Sequence, residues 1–253
     1  MLRAEPSPEQ LNNVLRHLAK WRAKLIHNTV VQKTGHIVKN GPFAGMHYGV
    51  GATEGGSVPR LLGGYEAGLA PIIDQIVESA PDLIIDAGCA EGYNAVGLAR
   101  RIPTATVWAR DANRKAITTC NELAKLNGVA DRVQTGGILV HGDFDICLRH
   151  RTVVICDIEG AEIDLLDPNR AKGLLAADIL VECHPHADPH VVEILQTRFA
   201  KTHNIQEIGR KIDTGSLPKW MDSSSDLDRL LALWEWRSMA TPWLWMTTKP
   251  ANQ

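Results

Sequence analysis

Apolar positions along this chain follow two alternating periods. Short runs of apolar β-formers recur at 83–87, 105–110, 132–135, 152–157, 178–183 and 203–208, with a last run at 242–248. Between them, helical spacing covers 92–101, 113–127, 160–167 and 189–200, and again 226–239. Strands of this length alternating with helices pack as a largely parallel sheet covered on both faces. The pattern therefore predicts an α/β, Rossmann-like fold with a mostly parallel seven-stranded sheet flanked by helices.

The first third of the chain stands outside that alternation. Ser7-Pro8-Glu9-Gln10 reads as a capping box with proline at the first helical position. Leu11, Val14, Leu15, Leu18 and Leu25 then share one helical face, expected to pack on the core fold. Residues 28–57 are rich in glycine and β-formers and predict short strands or a hairpin. A helix opens at Pro59, breaks at Gly63-Gly64 and resumes through Ile72 to Val77. The chain is thus expected to divide into a cap at 1–80 that covers the binding site and a Rossmann-like domain at 81–253. Segment 213–226 is a long polar loop of the kind used as a lid. Five of the seven tryptophans lie between Trp220 and Trp245. Their ordinary use is packing, and Trp243 and Trp245 share one face of the last strand. Trp220, in the polar loop, is the one whose context suits a binding pocket.

Composition narrows the function. The net charge is -2 and no basic stripe argues for nucleic acid. No apolar run is long enough to span a membrane, and the start of the chain, polar from Glu5 onward, is not expected to act as a signal peptide. The five cysteines are scattered, with no C-x-x-C, which suits reduced thiols in a cytoplasmic protein. The tryptophan-rich end and the first helix leave a homo-oligomer open.

The strand at 83–87 runs into Asp86-Ala87-Gly88-Cys89-Ala90-Glu91-Gly92-Tyr93. A strand, a glycine turn and a helix bring backbone N–H groups to a ligand at the carboxyl edge of a sheet. The spacing is neither G-x-G-x-x-G nor a P-loop. A second acid, Asp111, ends the next strand, where such folds place the group that accepts from ribose hydroxyls. Asn113 can cap the following helix. Asp86, Gly88 and Gly92 resemble the D-x-G-x-x-x-G motif of class I S-adenosylmethionine (SAM) methyltransferases. That resemblance implies a SAM site made by Asp86, Gly88, Cys89, Ala90, Glu91, Gly92 and Tyr93, with Asp111 on the ribose. Ala112 and Asn113 would lie along the adenine, and Asp143 of Gly142-Asp143-Phe144 near its amine, though Asp143 reads equally as a turn residue. Tyr65 and Glu66 are expected to close over the cofactor.

A second cluster follows. Val153 to Cys156 lead into Asp157-Ile158-Glu159-Gly160-Ala161-Glu162, and the next strand ends Glu182-Cys183-His184-Pro185-His186. Neighbouring strands would bring Asp157, Glu159, Glu182 and His184 to one cleft beside the cofactor. Glu162, in a first helical turn, reads as a cap. D-I-E-G-A-E followed by E-x-H resembles FkbM-like methyltransferases over roughly 83–185, which implies O-methylation of a small-molecule hydroxyl. The candidate catalytic residues are His184, Asp157 and Glu182. His184 suits a base for a hydroxyl proton; alternatively Asp157, Glu182 and His184 hold a divalent metal, magnesium or manganese. Rival readings are a methyltransferase acting on nitrogen or a peptide, a non-catalytic nucleotide-binding module, and an NAD-dependent oxidoreductase.

Overall fold

A computed structural model describes residues 6–52, 55–237 and 239–250. Helix α1 (Pro8–Thr34) starts at the expected capping box, with Ser7 Oγ accepting from Gln10 N and Gln10 reaching back to Ser7 N. It is followed by α2 (Ser57–Leu62) and α3 (Ala70–Ser79). The alternating part runs β1 (Leu83–Ala87), α4 (Tyr93–Arg101), β2 (Thr106–Arg110), α5 (Arg114–Leu126), β3 (Val133–Gly136), β4 (Thr152–Cys156), α6 (Glu162–Leu165) and β5 (Asp178–Glu182). It closes with α7 (Val191–Phe199), β6 (His203–Ile208), α8 (Asp226–Ala232) and β7 (Trp243–Thr248).

The seven strands form one sheet in the order β3-β2-β1-β4-β5-β7-β6. The β1–β2, β1–β4, β2–β3 and β4–β5 pairs are parallel, and β7 inserts antiparallel between β5 and β6. β1 and β4 are buried along their whole length, as expected of central strands covered on both faces. The chain order reverses between β1 and β4, and crevices that bind ligands open at the carboxyl ends of strands on either side of such a reversal. Both motifs singled out in the sequence lie there.

Three sequence expectations are corrected. Residues 28–34 continue α1, and the hairpin reduces to a single antiparallel bridge, Ile37 to His47. Helix 226–239 stops at Ala232. Past it, Glu235 accepts from Glu66 N and Arg237, contacts that a continuing helix would withdraw. The leucine face of α1 does not pack on the core. Ala23, Ile26 and Val30 are the buried positions, while Leu11, Val14, Leu15, Leu18 and Trp21 are each more than half exposed.

Candidate active site

The glycine turn after β1 is dictated by sterics. Gly88 has φ +81°, and a Cβ there would stand 1.6 Å from the Asp157 carbonyl oxygen. Gly92 caps α4 at φ +93°, and its Cβ would meet Cys120 Sγ at 2.6 Å. Only glycine tolerates both the backbone angle and the approach. Ala90, also at positive φ, is held by its N–H donating to Asp111 Oδ2 at 2.9 Å. Asp111 Oδ1 accepts from Asn113 N at 2.7 Å, and Asn113 caps α5 through Lys115 N, as its position predicts. Each Asp111 oxygen keeps a lone pair for a further donor. Beneath the turn Asp86 is buried, with Oδ2 lacking a partner, and burial pushes it up to about 7.

A cavity of about 430 Å³ opens over this turn, lined by Gly88, Asp111, Ala112, Asn113, Ile138 and Leu139, and by Asp157 and Glu159 at its far end. A turn that admits no Cβ, an acid with free lone pairs and an apolar slot suit a nucleoside. Asp143 stands near this region but its Oδ2 accepts from Val140 N at 2.8 Å, the turn role also read from sequence.

Asp157 and Glu159 also line a second cavity of about 380 Å³, with Tyr65, Glu182, His184, Glu235, Arg237 and Trp236 among its walls. Three ligand atoms, one each from Asp157, Glu182 and His184, lie within 4.8 Å of one another. His184 Nδ1 is 2.7 Å from Glu162 Oε1, which also accepts from Gly160 N at 3.0 Å. With that proton on Nδ1, Nε2 is left as an acceptor toward Asp157 Oδ1 at 3.6 Å and Glu182 Oε2 at 3.9 Å. Burial by itself would lower His184, but the Glu162 hydrogen bond and the surrounding carboxylates raise it. Burial by itself would raise Glu162, but His184 and the backbone N–H groups hold it below the usual range. Burial, then Glu182 and Glu66, push Asp157 well above the usual carboxylate range. Asp157 Oδ1 is buried without a hydrogen-bond partner. Crowded carboxylates, an orphaned oxygen and an imidazole oriented by a carboxylate suit a divalent cation.

The structure separates the other candidates. Glu91 is fully buried away from both cavities, with Tyr48 Oη donating to it at 2.6 Å and Arg60 Nε paired at 3.0 Å. Tyr93 packs edge-on against Phe43, Tyr48 and Tyr65. Cys89 is a buried thiol. Glu91 and Tyr93 join the first third of the chain to the sheet. Tyr65 faces the acid-walled cavity instead of the nucleoside slot. Glu66 pairs with Arg237, and burial and Glu182 push it up to about 8. Trp220 packs toward α1, with Lys33 Nζ 5.3 Å from its ring, while Trp236 takes the place in the cleft expected of it. Arg237, which binds Glu66, Glu182 and Glu235, carries no signal in the sequence, because helical spacing runs straight through it. The Glu162–His184 pair was missed because two residues far apart in sequence carry no periodic signal.

No family profile and no curated protein matches this sequence. Solved structures do resemble it. A cofactor-bound Rv0187 from MTB aligns over 95% of this chain and 98% of that one, at 11% identity and a TM-score of 0.50. An O-methyltransferase from Bacillus cereus in complex with SAH aligns over 72% and 80%, at 12% identity and a TM-score of 0.48. TomG from Streptomyces achromogenes, an O-methyltransferase in complex with SAM, aligns over 70% and 80%, at 16% identity and a TM-score of 0.47. The likeness along the whole length of the first is one of fold, a mostly parallel seven-stranded Rossmann-like sheet flanked by helices.

Proposed function

We propose that this protein is a SAM-dependent O-methyltransferase of a small molecule, related to the FkbM-like group, with a divalent cation at Asp157, Glu182 and His184. The observation that carries this reading is that the nucleoside-shaped cavity and the acid-walled cavity meet at Asp157 and Glu159. A donor in one and an acceptor in the other would have their reacting ends together, and such positioning does most of the work in methyl transfer. SAM, when bound, supplies an activated methyl group, and magnesium or manganese supplies Lewis acidity toward an acceptor hydroxyl. Asp111 would accept from the ribose hydroxyls, and Asp86 would support the turn from beneath. Glu162 fixes the His184 tautomer so that Nε2 faces the cleft. Glu182 is held by Arg237 and Thr241 through one oxygen, leaving Oε2 toward the cluster. The first third of the chain acts as the cap, placing Tyr65 on the acceptor side.

No described helix is long and apolar enough to cross a membrane. The exposed face of α1 is read as the contact with a second copy of the chain, which makes the enzyme a homodimer.

Calorimetry with SAM tests the cofactor half. Wild type is expected to bind in the micromolar range, and Asp111→Ala to weaken binding at least about tenfold, since two ribose hydrogen bonds lose their acceptor. Formation of S-adenosylhomocysteine from a panel of hydroxylated acceptors, with magnesium and with chelator, tests the reaction. Absence of SAM binding would overturn the reading.

A further inference from the structure

We propose that the acceptor is an amphiphile, whose apolar portion lies in a third cavity outside the acid-walled one. This rests on the methyltransferase reading for the word acceptor, but the cavity and its test stand apart from it. The third cavity measures about 360 Å³ and lies between α1, α2 and the segment after α8. Trp21, Val58, Pro59, Leu231, Trp234 and Trp236 give it apolar walls. Lys20 and Trp236 line both this cavity and the acid-walled one, so the two adjoin across these side chains.

The shared wall is built with some care. Lys20 Nζ sits 4.7 Å from the centre of the Trp236 ring, a cation over an aromatic face. Trp236 has φ +68°, a region that a bulky residue rarely adopts. Its neighbours hold it there: Glu235 accepts from Glu66 N at 3.0 Å, and Arg237 binds Glu182 and Glu66. Trp236 Nε1 is buried without a hydrogen-bond partner. Trp236 is thus held by its surroundings in a costly conformation between the two cavities.

A cleft of this size with aliphatic and indole walls has the size and character of a ligand pocket. Its neighbour is the opposite in chemistry, walled by Asp157, Glu159, Glu182, His184 and Arg237. One molecule filling both must present a polar, hydroxyl-bearing end at Asp157 and His184 and an alkyl or aryl portion past Lys20 and Trp236. A small sugar or a wholly polar acceptor would leave the indole-lined cavity to water.

Monomeric n-octyl β-D-glucopyranoside, below its micelle concentration, is the probe, with D-glucose as the tail-less control. Tryptophan fluorescence and calorimetry read its binding. Wild type is expected to bind the glucoside saturably and at least about tenfold tighter than glucose. Val58→Phe, which fills the cavity, and Trp236→Ala, which removes the shared wall, are each expected to weaken it at least about tenfold, while SAM affinity in Val58→Phe stays within about twofold. Retained SAM affinity, or an unchanged circular dichroism spectrum should SAM fail to bind any form, certifies that Val58→Phe has folded. Binding no tighter than glucose would overturn the proposal. So would equal binding by wild type and both variants, which would put the glucoside on the outer face of α1. Saturable binding lost in Val58→Phe, with no SAM bound by any form, would uphold the cavity as an amphiphile site and remove the methyltransferase reading alone.

Discussion

His184 shows what a single residue owes to its partners. Its imidazole is useful to a cation only if the proton sits on Nδ1, and Glu162 Oε1, 2.7 Å away, is what keeps it there. Glu162→Gln is therefore expected to weaken manganese binding by roughly 10–100-fold, the usual cost of losing such a partner. Calorimetric titration with manganese would read this, and SAM affinity should not move. Equal manganese affinity in the variant would show that Glu162 only caps its turn. Several site residues were legible in sequence because their chemistry is local. Asp111 ends a strand, Gly88 must be glycine, and Asp157 follows an apolar run. Glu91 was misplaced for the converse reason. Its neighbours Ala90 and Gly92 shape the turn, but the direction of its side chain is decided by Tyr48 and Arg60 from a different part of the chain.

Among the elements, the strands were the most legible and α1 and α8 the least. Apolar runs bounded by turns place β1, β4 and β6 with ends shifted by at most one residue, because a buried strand is written in consecutive residues. α8 ends early because Trp234 to Arg237 are claimed by tertiary contacts that no local spacing encodes. What docks α8 to α1 is also long-range: Arg22 Nε and Nη2 each donate to Asp228 at 2.7 Å. Arg22 holds the Asp228 carboxyl below its usual range. A depressed acid contributes stability that is complete above the unfolded pKa, about 3.9, and is lost as pH falls through the folded value. Asp228→Asn should lower the melting temperature slightly at pH 7, as expected of a partly exposed pair. That difference should vanish by pH 2–3. Thermal unfolding at both pH values checks it, and a gap that persists in acid would mean that the carboxylate charge is not what joins these helices.

At the scale of the whole molecule, the exposed face of α1 is where the proposed second copy would dock. Leu11, Val14, Leu18, Trp21 and Leu25 repeat at alternating steps of three and four, the a/d seam of a helix that packs against another helix. With Leu15 and with Leu227 and Leu230 of the adjoining α8, eight large apolar side chains are more than a third exposed. That is on the order of 800 Å² of face, what each partner buries in a standard interface, and more than a monomer usually leaves bare. Lys20 and Lys24 are exposed on α1, and Asp222 and Asp226 are exposed just before and at the start of α8, so the face carries both signs, which suits a second copy better than anionic lipid, which would meet those same acids. Leu15→Glu combined with Leu18→Glu should convert a dimer into a soluble monomer, since burying the added carboxylates would cost more than the apolar contact returns. Light scattering coupled to size exclusion gives the mass directly. A monomeric wild type would sink the dimer, and if that monomer also sedimented with phosphatidylglycerol vesicles, the face would belong to a membrane.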